Sequence, residues 1–293
     1  MLKKEGVEMG KVRYIFIFIF IIFITGCNKK STEIKIAVNE WIGYAPLFYA
    51  NEKGWLKNSG IKLIYTKSLG ESLSLYKNRL VNALASTQYE YLQISNQVKP
   101  IILLDQSYGG DMILSNRSVK ELKKLQNITT YLEIDSVNFL LLKYFLKEHN
   151  ISMGTINLIS SNQDQLTKMV SNINLPIMIV TYAPYDVTFK KLGFNMVAST
   201  KTDEKLLIID AIFVDKKYPN KRFIDLKQIV DKAITDIKLN PKFVFNMIKK
   251  YYPNYSYEDF VSGLNNIKWI NKNNPNILKK IKTINLPTNY LIK

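Results

Sequence analysis

Histidine and cysteine each occur once, as His149 and Cys27. A histidine-based zinc or iron site and a cysteine cluster are therefore excluded, and a Ser-His-acid triad has no convincing histidine. No Gly-x-Gly-x-x-Gly is present, and no phosphate-cradling loop runs into Lys-Ser/Thr; Gly109-Gly110 alone is too short to count. The residues left to do chemistry are carboxylates and aromatic rings. Asp105, Asp111, Glu133 and Asp210 stand with Trp41, Tyr44 and Tyr182, and with the hydroxyl and amide side chains of Ser86, Thr87, Ser107, Ser136 and Asn138. Paired carboxylates can perform acid–base work, but no clear catalytic constellation accompanies them. None of these candidates is basic, whereas a small oxyanion calls for Arg, Lys or His. Carboxylates beside aromatic rings suit a ligand rich in N–H donors, or a cation over a ring. No catalytic residue, metal or cofactor is expected.

The elements around these residues explain why they should converge. Ile34–Asn39 alternates like a strand, Pro46–Lys53 reads as a helix ended by Gly54, and Ile61–Tyr65 is a second strand. Strands are expected over 81–85, 101–104, 128–133, 156–159, 177–181, 194–198 and 206–214. Helices are expected around 73–80 and over 87–95, 137–147, 163–172 and 184–192. Residues 221–251 and 256–282 show only helical patterns, broken at Pro241, Pro253 and Pro275. Strand–helix alternation implies mostly parallel sheets covered by helices. In such sheets ligands bind beyond the carboxyl ends of the strands. Trp41 and Tyr44 then follow the first strand, Ser86 and Thr87 the third, Asp105 and Ser107 the fourth. Glu133, Ser136, Asn138 and Tyr182 occupy equivalent places further on. Ser86-Thr87 and Ser136 serve equally as helix caps, Trp41 as core, and Asp111 as a crossover fastener. His149 falls at a helix end, where it reads as a C-terminal charge.

The N-terminus has its own chemistry. Lys3, Lys4, Lys11 and Arg13 precede an apolar run from Tyr14 to Ile24, then Thr25, Gly26 and Cys27. That order is a secretory signal, and the run is about half the roughly 20 residues needed to span a bilayer. Met9-Gly10-Lys11-Val12-Arg13 is by itself a sufficient basic leader, so the start is Met1 or Met9. Ile24-Thr25-Gly26-Cys27 resembles the lipobox of bacterial lipoproteins, which implies cleavage before Cys27 and a diacylglyceryl thioether on it. Residues 28–33 form a polar tether. The net charge of +17 comes from scattered lysine pairs with no basic run, so nucleic acid is not an expected partner. A diffuse positive charge favours an anionic membrane surface. With 47% apolar residues the rest of the chain can bury a core.

Residues 38–56 read Val-Asn-Glu-Trp-Ile-Gly-Tyr-Ala-Pro-Leu-Phe-Tyr-Ala-Asn-Glu-Lys-Gly-Trp-Leu. This resembles the opening of the substrate-binding proteins for nitrate, sulfonates, taurine and thiamine-pyrimidine precursors. Val81-Asn82-Ala83-Leu84, Thr87-Gln88-Tyr89-Glu90, Asp105 to Asp111, Glu133 to Asn138 and Tyr182-Ala183-Pro184-Tyr185 agree in order and spacing. Asn82 departs from the usual Asp, Pro176–Ile179 from a Gly-x-Val-Asp-Ala, and Glu121–Lys124 from an Asp-Leu-Lys-Gly-Lys. The resemblance implies an α/β, periplasmic binding protein type II-like fold. It has two lobes with mixed sheets, a two-strand hinge and a ligand cleft between them. Lobe one would hold 34–112 with 206–293, and lobe two 113–205. It further implies a monomeric lipoprotein, facing the periplasm or cell exterior. Such a protein passes a small molecule to an ABC transporter permease. A pyrimidine-like heterocycle or organic amine is the first ligand, with a sulfonate, taurine or nitrate as the alternative. Trp41 and Tyr182 would sandwich it from opposite lobes. A sensory solute-binding lipoprotein is a second alternative. A pyrimidine-precursor synthase is a third, although its His- and Lys-dependent chemistry finds His149 outside the expected cleft.

If Cys27 carries the acyl chains, Cys27→Ser abolishes labelled-palmitate incorporation and moves the protein from the membrane to the soluble fraction. Palmitate entering the substituted chain would refute the assignment.

Overall fold

The computed structural model describes residues 33–170, 174–202, 206–270 and 275–292. The signal segment, Cys27 and tether residues 28–32 lie outside the described residues. The strands are β1 (Ile34–Val38), β2 (Ile61–Tyr65), β3 (Ala83–Thr87), β4 (Val98–Ser107), β5 (Asp111–Ser115), β6 (Ile128–Leu132), β7 (Ile156–Ser160), β8 (Ile177–Tyr182), β9 (Asn195–Ser199), β10 (Ile209–Asp215) and β11 (Ile267–Trp269).

They form two sheets, in the orders β11-β4-β10-β3-β1-β2 and β7-β6-β8-β5-β9. β1 pairs in parallel with β2 and β3, and β6 pairs in parallel with β7 and β8. In each sheet an antiparallel strand is then inserted. β10 lies between β3 and β4, and β5 lies between β8 and β9. The inserted strand is the one arriving from the other sheet. Residues 108–110 lead from β4 into β5, and 200–208 lead from β9 back to β10.

The strand pattern follows burial. β3 (Ala-Leu-Ala-Ser-Thr) is buried at every position and β10 at all but its last, so neither shows period-2 alternation. Helices Ala45–Glu52, Ile224–Leu239 and Pro241–Ile248 cover one face of the first sheet. Their aromatic core includes Phe48 stacked on Tyr251 at 4.3 Å between ring centroids. Helix Val137–Glu148 covers one face of the second sheet with Leu141, Leu142, Phe145 and Leu146. Each such side chain contributes roughly 1.5–3 kcal/mol on full burial. Its cap is Ser136, whose hydroxyl accepts from the Asn138 amide at 3.2 Å. His149 closes the same helix with its ring edge-on to Phe145.

Two sequence expectations are corrected. Ser86 and Thr87 are the last residues of β3, and Asp105 and Ser107 lie inside β4, rather than in the loops that follow. β4 runs on because Asp105 and Gln106 pair with β10 on one side and with β11 on the other. β11 lies in a stretch that reads as helical throughout. Its three residues are too few for a visible alternation, and the free edge of β4 recruits them.

The two connections are tied together. Ser107 and Thr200 share a hydrogen bond of 2.8 Å between hydroxyls, and Thr200 Oγ1 accepts from the Gly109 amide at 2.7 Å. Gly110 meets the Trp41 ring so closely that an added Cβ would stand 2.4 Å from Trp41 Cη2 and 3.1 Å from the Asn266 carbonyl. Gly110→Ala is expected to lower stability by roughly 1–3 kcal/mol, the usual range for overpacking. Thermal melting checks this, and an unchanged melting temperature would show that Trp41 is free to move aside.

Candidate functional site

Strand register brings the carboxylates together. Asp210 on β10 faces Thr87 on β3 and Asp105 on β4, so three neighbouring strands present them in one row. On the second sheet Asp111 at the start of β5 faces Tyr182 at the end of β8. Between the two rows lies a cavity lined by Asn39, Trp41, Tyr44, Leu69, Thr87, Asp111, Val137, Tyr182 and Asp210. Its volume is ≈ 10 Å³, close to the roughly 10–15 Å³ that one water requires.

Every polar wall of this cavity is held from behind. Tyr44 donates its hydroxyl to Asp210 Oδ1 at 2.6 Å, and Trp41 Nε1 donates to Asp105 Oδ1 at 3.3 Å. Gly43 permits the second contact, since a Cβ there would fall 2.0 Å from Asp105 Oδ2. Asn39 Nδ2 donates to the Tyr182 hydroxyl, which donates to Glu133 Oε1, both at 3.2 Å. Glu133 Oε1 also accepts from the Gln163 amide at 3.2 Å. Asn39 Oδ1, Asp105 Oδ2 and Glu133 Oε2 are buried without a hydrogen-bond partner.

Burial dominates the ionisation of this group. It pushes the Asp105 and Asp210 carboxyls well above the usual carboxylate range, with Asp111 adding to the first and Asp105 to the second. Burial carries Asp111 up to about 7 and Glu133 up to about 8, against hydrogen bonds from Ser107 and from Gln163 and Tyr182. Glu90 is raised for the same reason, against hydrogen bonds from Thr87 and Ser86. Among the described residues, no lysine or arginine lines the cavity. Among the described residues, no group of three His, Cys, Asp or Glu side chains converges as metal ligands would.

Of the residues singled out from sequence, Trp41, Tyr44, Thr87, Asp111, Tyr182 and Asp210 line the cavity. Ser86, Asp105, Ser107, Glu133, Ser136 and Asn138 stand behind that wall. Ser86 donates to Glu90 at 3.0 Å, Ser107 accepts from the Asp111 amide at 3.0 Å, and Ser136 donates to the Glu133 carbonyl at 2.9 Å. Asn138 accepts from Gln163 Nε2 at 3.1 Å. Trp41 and Tyr182 meet each other edge to face, with centroids 6.0 Å apart and planes at 77°, which leaves no slot for a third ring.

Sequence reasoning missed Asn39, Leu69 and Val137 in the wall, and Glu90 and Gln163 behind it. Glu90 was legible as a capping box, Thr87-x-x-Glu90, which the structure contains. Its reach across to the second sheet has no local signal. Nor has the buried Gln163, whose amide bridges Asn138, Val180 and Thr181.

No family model matches this chain, and no curated protein matches its sequence. Solved structures do match. One is the ligand-binding component of an ABC-type import system from Staphylococcus aureus, with zinc bound. Its TM-score is 0.66 at 12% identity, over 87% of this chain and 91% of that one. Another is the alkanesulfonate-binding protein SsuA from Xanthomonas axonopodis pv. citri bound to MOPS, with TM-score 0.67 at 10% identity over 87% and 94%. A third is the periplasmic nitrate-binding protein NrtA from Synechocystis PCC 6803, with TM-score 0.63 at 13% identity over 78% and 69%. The chain therefore has the periplasmic binding protein fold.

The raised carboxyls make stability depend on pH. The Glu133 carboxyl stays protonated up to about pH 8 in the folded protein, but only to its ordinary value of 4.5 when unfolded. Between those values the folded state holds the extra proton, so its stability is greatest at the acid end and falls as pH rises. Glu133→Gln removes that slope. The melting temperature of the variant relative to wild type is expected to climb from pH 4.5 to 8, by an amount on the order of a few kcal/mol in stability. A flat difference across the window would mean that Glu133 is ionised throughout.

Proposed function

We propose that this chain is the extracytoplasmic solute-binding component of an ABC importer, anchored to the membrane through Cys27. It holds a small, N–H-rich or positively charged molecule between its two sheets, as a monomer and without turnover. An organic amine or a pyrimidine-like heterocycle has this chemistry. The halves carrying the two sheets act as lobes that open about the segments linking β4 to β5 and β9 to β10, admit the solute and close on it.

One observation carries the ligand class: buried carboxylates at the cavity with no cation of the chain's own beside them. Two of them, Asp105 and Glu133, each keep an oxygen unpaired. An unsatisfied buried polar group costs about 1–3 kcal/mol and more when charged. An ammonium or a ring N–H supplies what is missing, and Trp41 and Tyr182 add aromatic surface for a cation. Opening would separate Trp41 from Tyr182, since they rise from different sheets, and the space between the rings is then available to the ligand. The fold supports delivery to an importer, because two of the matching structures are an ABC import component and a binding protein for a small sulfonate. A sulfonate or nitrate ligand is the alternative, and it is disfavoured by a wall without Lys, Arg or His. A sensory role would use the same site without a permease.

Mass spectrometry of the molecule released from purified protein tests the reading. A species that is positively charged or bears several N–H groups is expected; a sulfonate or nitrate would overturn it. With that molecule, Trp41→Ala should weaken binding in calorimetric titration by about tenfold or more, a loss of about 1.4 kcal/mol. Wild-type affinity in a folded variant would remove Trp41 from the site.

A further inference from the structure

We infer that Glu90 is the specificity-determining residue of the cleft: its carboxylate occupies the N-terminus of helix Val137–Glu148 in place of a ligand's anionic group, and so bars oxyanions from the site. The inference rests on the reading of this cleft as a ligand site and deepens it.

The N-terminus of a helix attracts anions, because its first N–H groups lack intrahelical partners and the helix dipole is positive there. Helix Val137–Glu148 is 12 residues long and belongs to the second sheet. Its first amide, Val137 N, donates to Glu90 Oε1 at 2.9 Å. Glu90 comes from helix Gln88–Ile94, which packs on the first sheet. The contact therefore joins the two halves, and Val137 itself lines the cavity.

The other oxygen of Glu90 is equally engaged. Oε2 accepts from Thr87 Oγ1 at 2.5 Å, from Ser86 Oγ at 3.0 Å and from the Thr87 amide at 3.1 Å. Glu90 is fully buried. Hydroxyls and backbone amides of this kind can hold an oxyanion without a basic side chain, and here they are turned on a side chain of the protein. Capping helix Gln88–Ile94 requires only the bonds to Thr87. The bond to Val137 is outside that purpose and fills the opposite wall. A buried donor remains on the same helix turn, since Asn138 Nδ2 has no partner. An entering oxyanion would have to displace Glu90 or sit against it, and like charges repel strongly where water is excluded.

The test uses the full chain in detergent, as wild type, Glu90→Ala and Glu90→Gln, melted with and without millimolar sodium methanesulfonate or sodium nitrate. Alanine vacates the position. At least one of the two anions should then raise the melting temperature of Glu90→Ala, with an apparent affinity at least about tenfold above wild type. A ligand-dependent rise is readable even if the variant is destabilised, because the anion restores what the substitution removed. Glutamine keeps the volume but loses the charge and one acceptor, so Glu90→Gln should gain less than Glu90→Ala. The inference is overturned if Glu90→Ala gains nothing from either anion, if wild type responds as strongly, or if Glu90→Gln gains as much as Glu90→Ala. A cationic molecule co-purifying with wild type while Glu90→Ala ignores anions would sink this inference alone. A gain in Glu90→Ala with no small molecule co-purifying from wild type would leave it standing and sink the ligand reading.

Discussion

Acidic side chains buried without a counter-cation are the constraint on which this architecture turns. Glu90, Asp105, Asp111, Glu133 and Asp210 are buried at the facing ends of two sheets. Removing a carboxylate from water costs several kcal/mol unless it is protonated, paired or hydrogen-bonded. The chain uses two of those remedies. Burial raises the carboxyls so that protons are retained. Donors without charge, the Tyr44 and Tyr182 hydroxyls and the Trp41 indole, meet the oxygens that remain. The third remedy, a basic side chain, is missing from the wall although the chain carries 41 lysines and arginines. Lys168, Lys190, Lys217 and Lys250, with side chains 44–71% exposed, pair at the surface with Asp164, Asp186, Asp215 and Glu52.

The arrangement depends on the inserted strands. β10 is antiparallel to its neighbours, so its first residues arrive beside the last residues of β3 and of β4. Asp210 thereby meets Asp105 and Thr87, which are remote from it in sequence. β5 does the same in the second sheet, placing Asp111 opposite Tyr182. Exchanging one strand between the halves thus completes each sheet and delivers an acid to each wall. The same exchange ties the halves through two neighbouring connections held by Ser107 and Thr200. Motion between the halves would leave that tie in place and break contacts on the cleft side, above all Trp41 with Tyr182 and Glu90 with Val137.

The fold class, most of the strand–helix order and the identity of most wall residues were determined by sequence alone. Period-2 and helical patterns are set by local burial, and the Trp-Ile-Gly-Tyr-Ala-Pro segment and Thr87-x-x-Glu90 are local signals with a local physical cause. The short stretch Ile267–Trp269 escaped because an edge strand of three residues is induced by the strand it joins. What only tertiary structure decided is which side chain faces which. Ser86, Ser107, Ser136 and Asn138 have the right chemistry for a ligand, yet their hydrogen bonds go to Glu90, Thr200 and Asp111, Glu133, and Gln163. Trp41 and Tyr182 were each readable as aromatic walls, but their perpendicular contact depends on how the two sheets approach. Glu90 shows the division most clearly. Its bond to Thr87 spans three residues and is written in the sequence, whereas its bond to Val137 spans 47 and exists only because two helices on different sheets point their ends at one another.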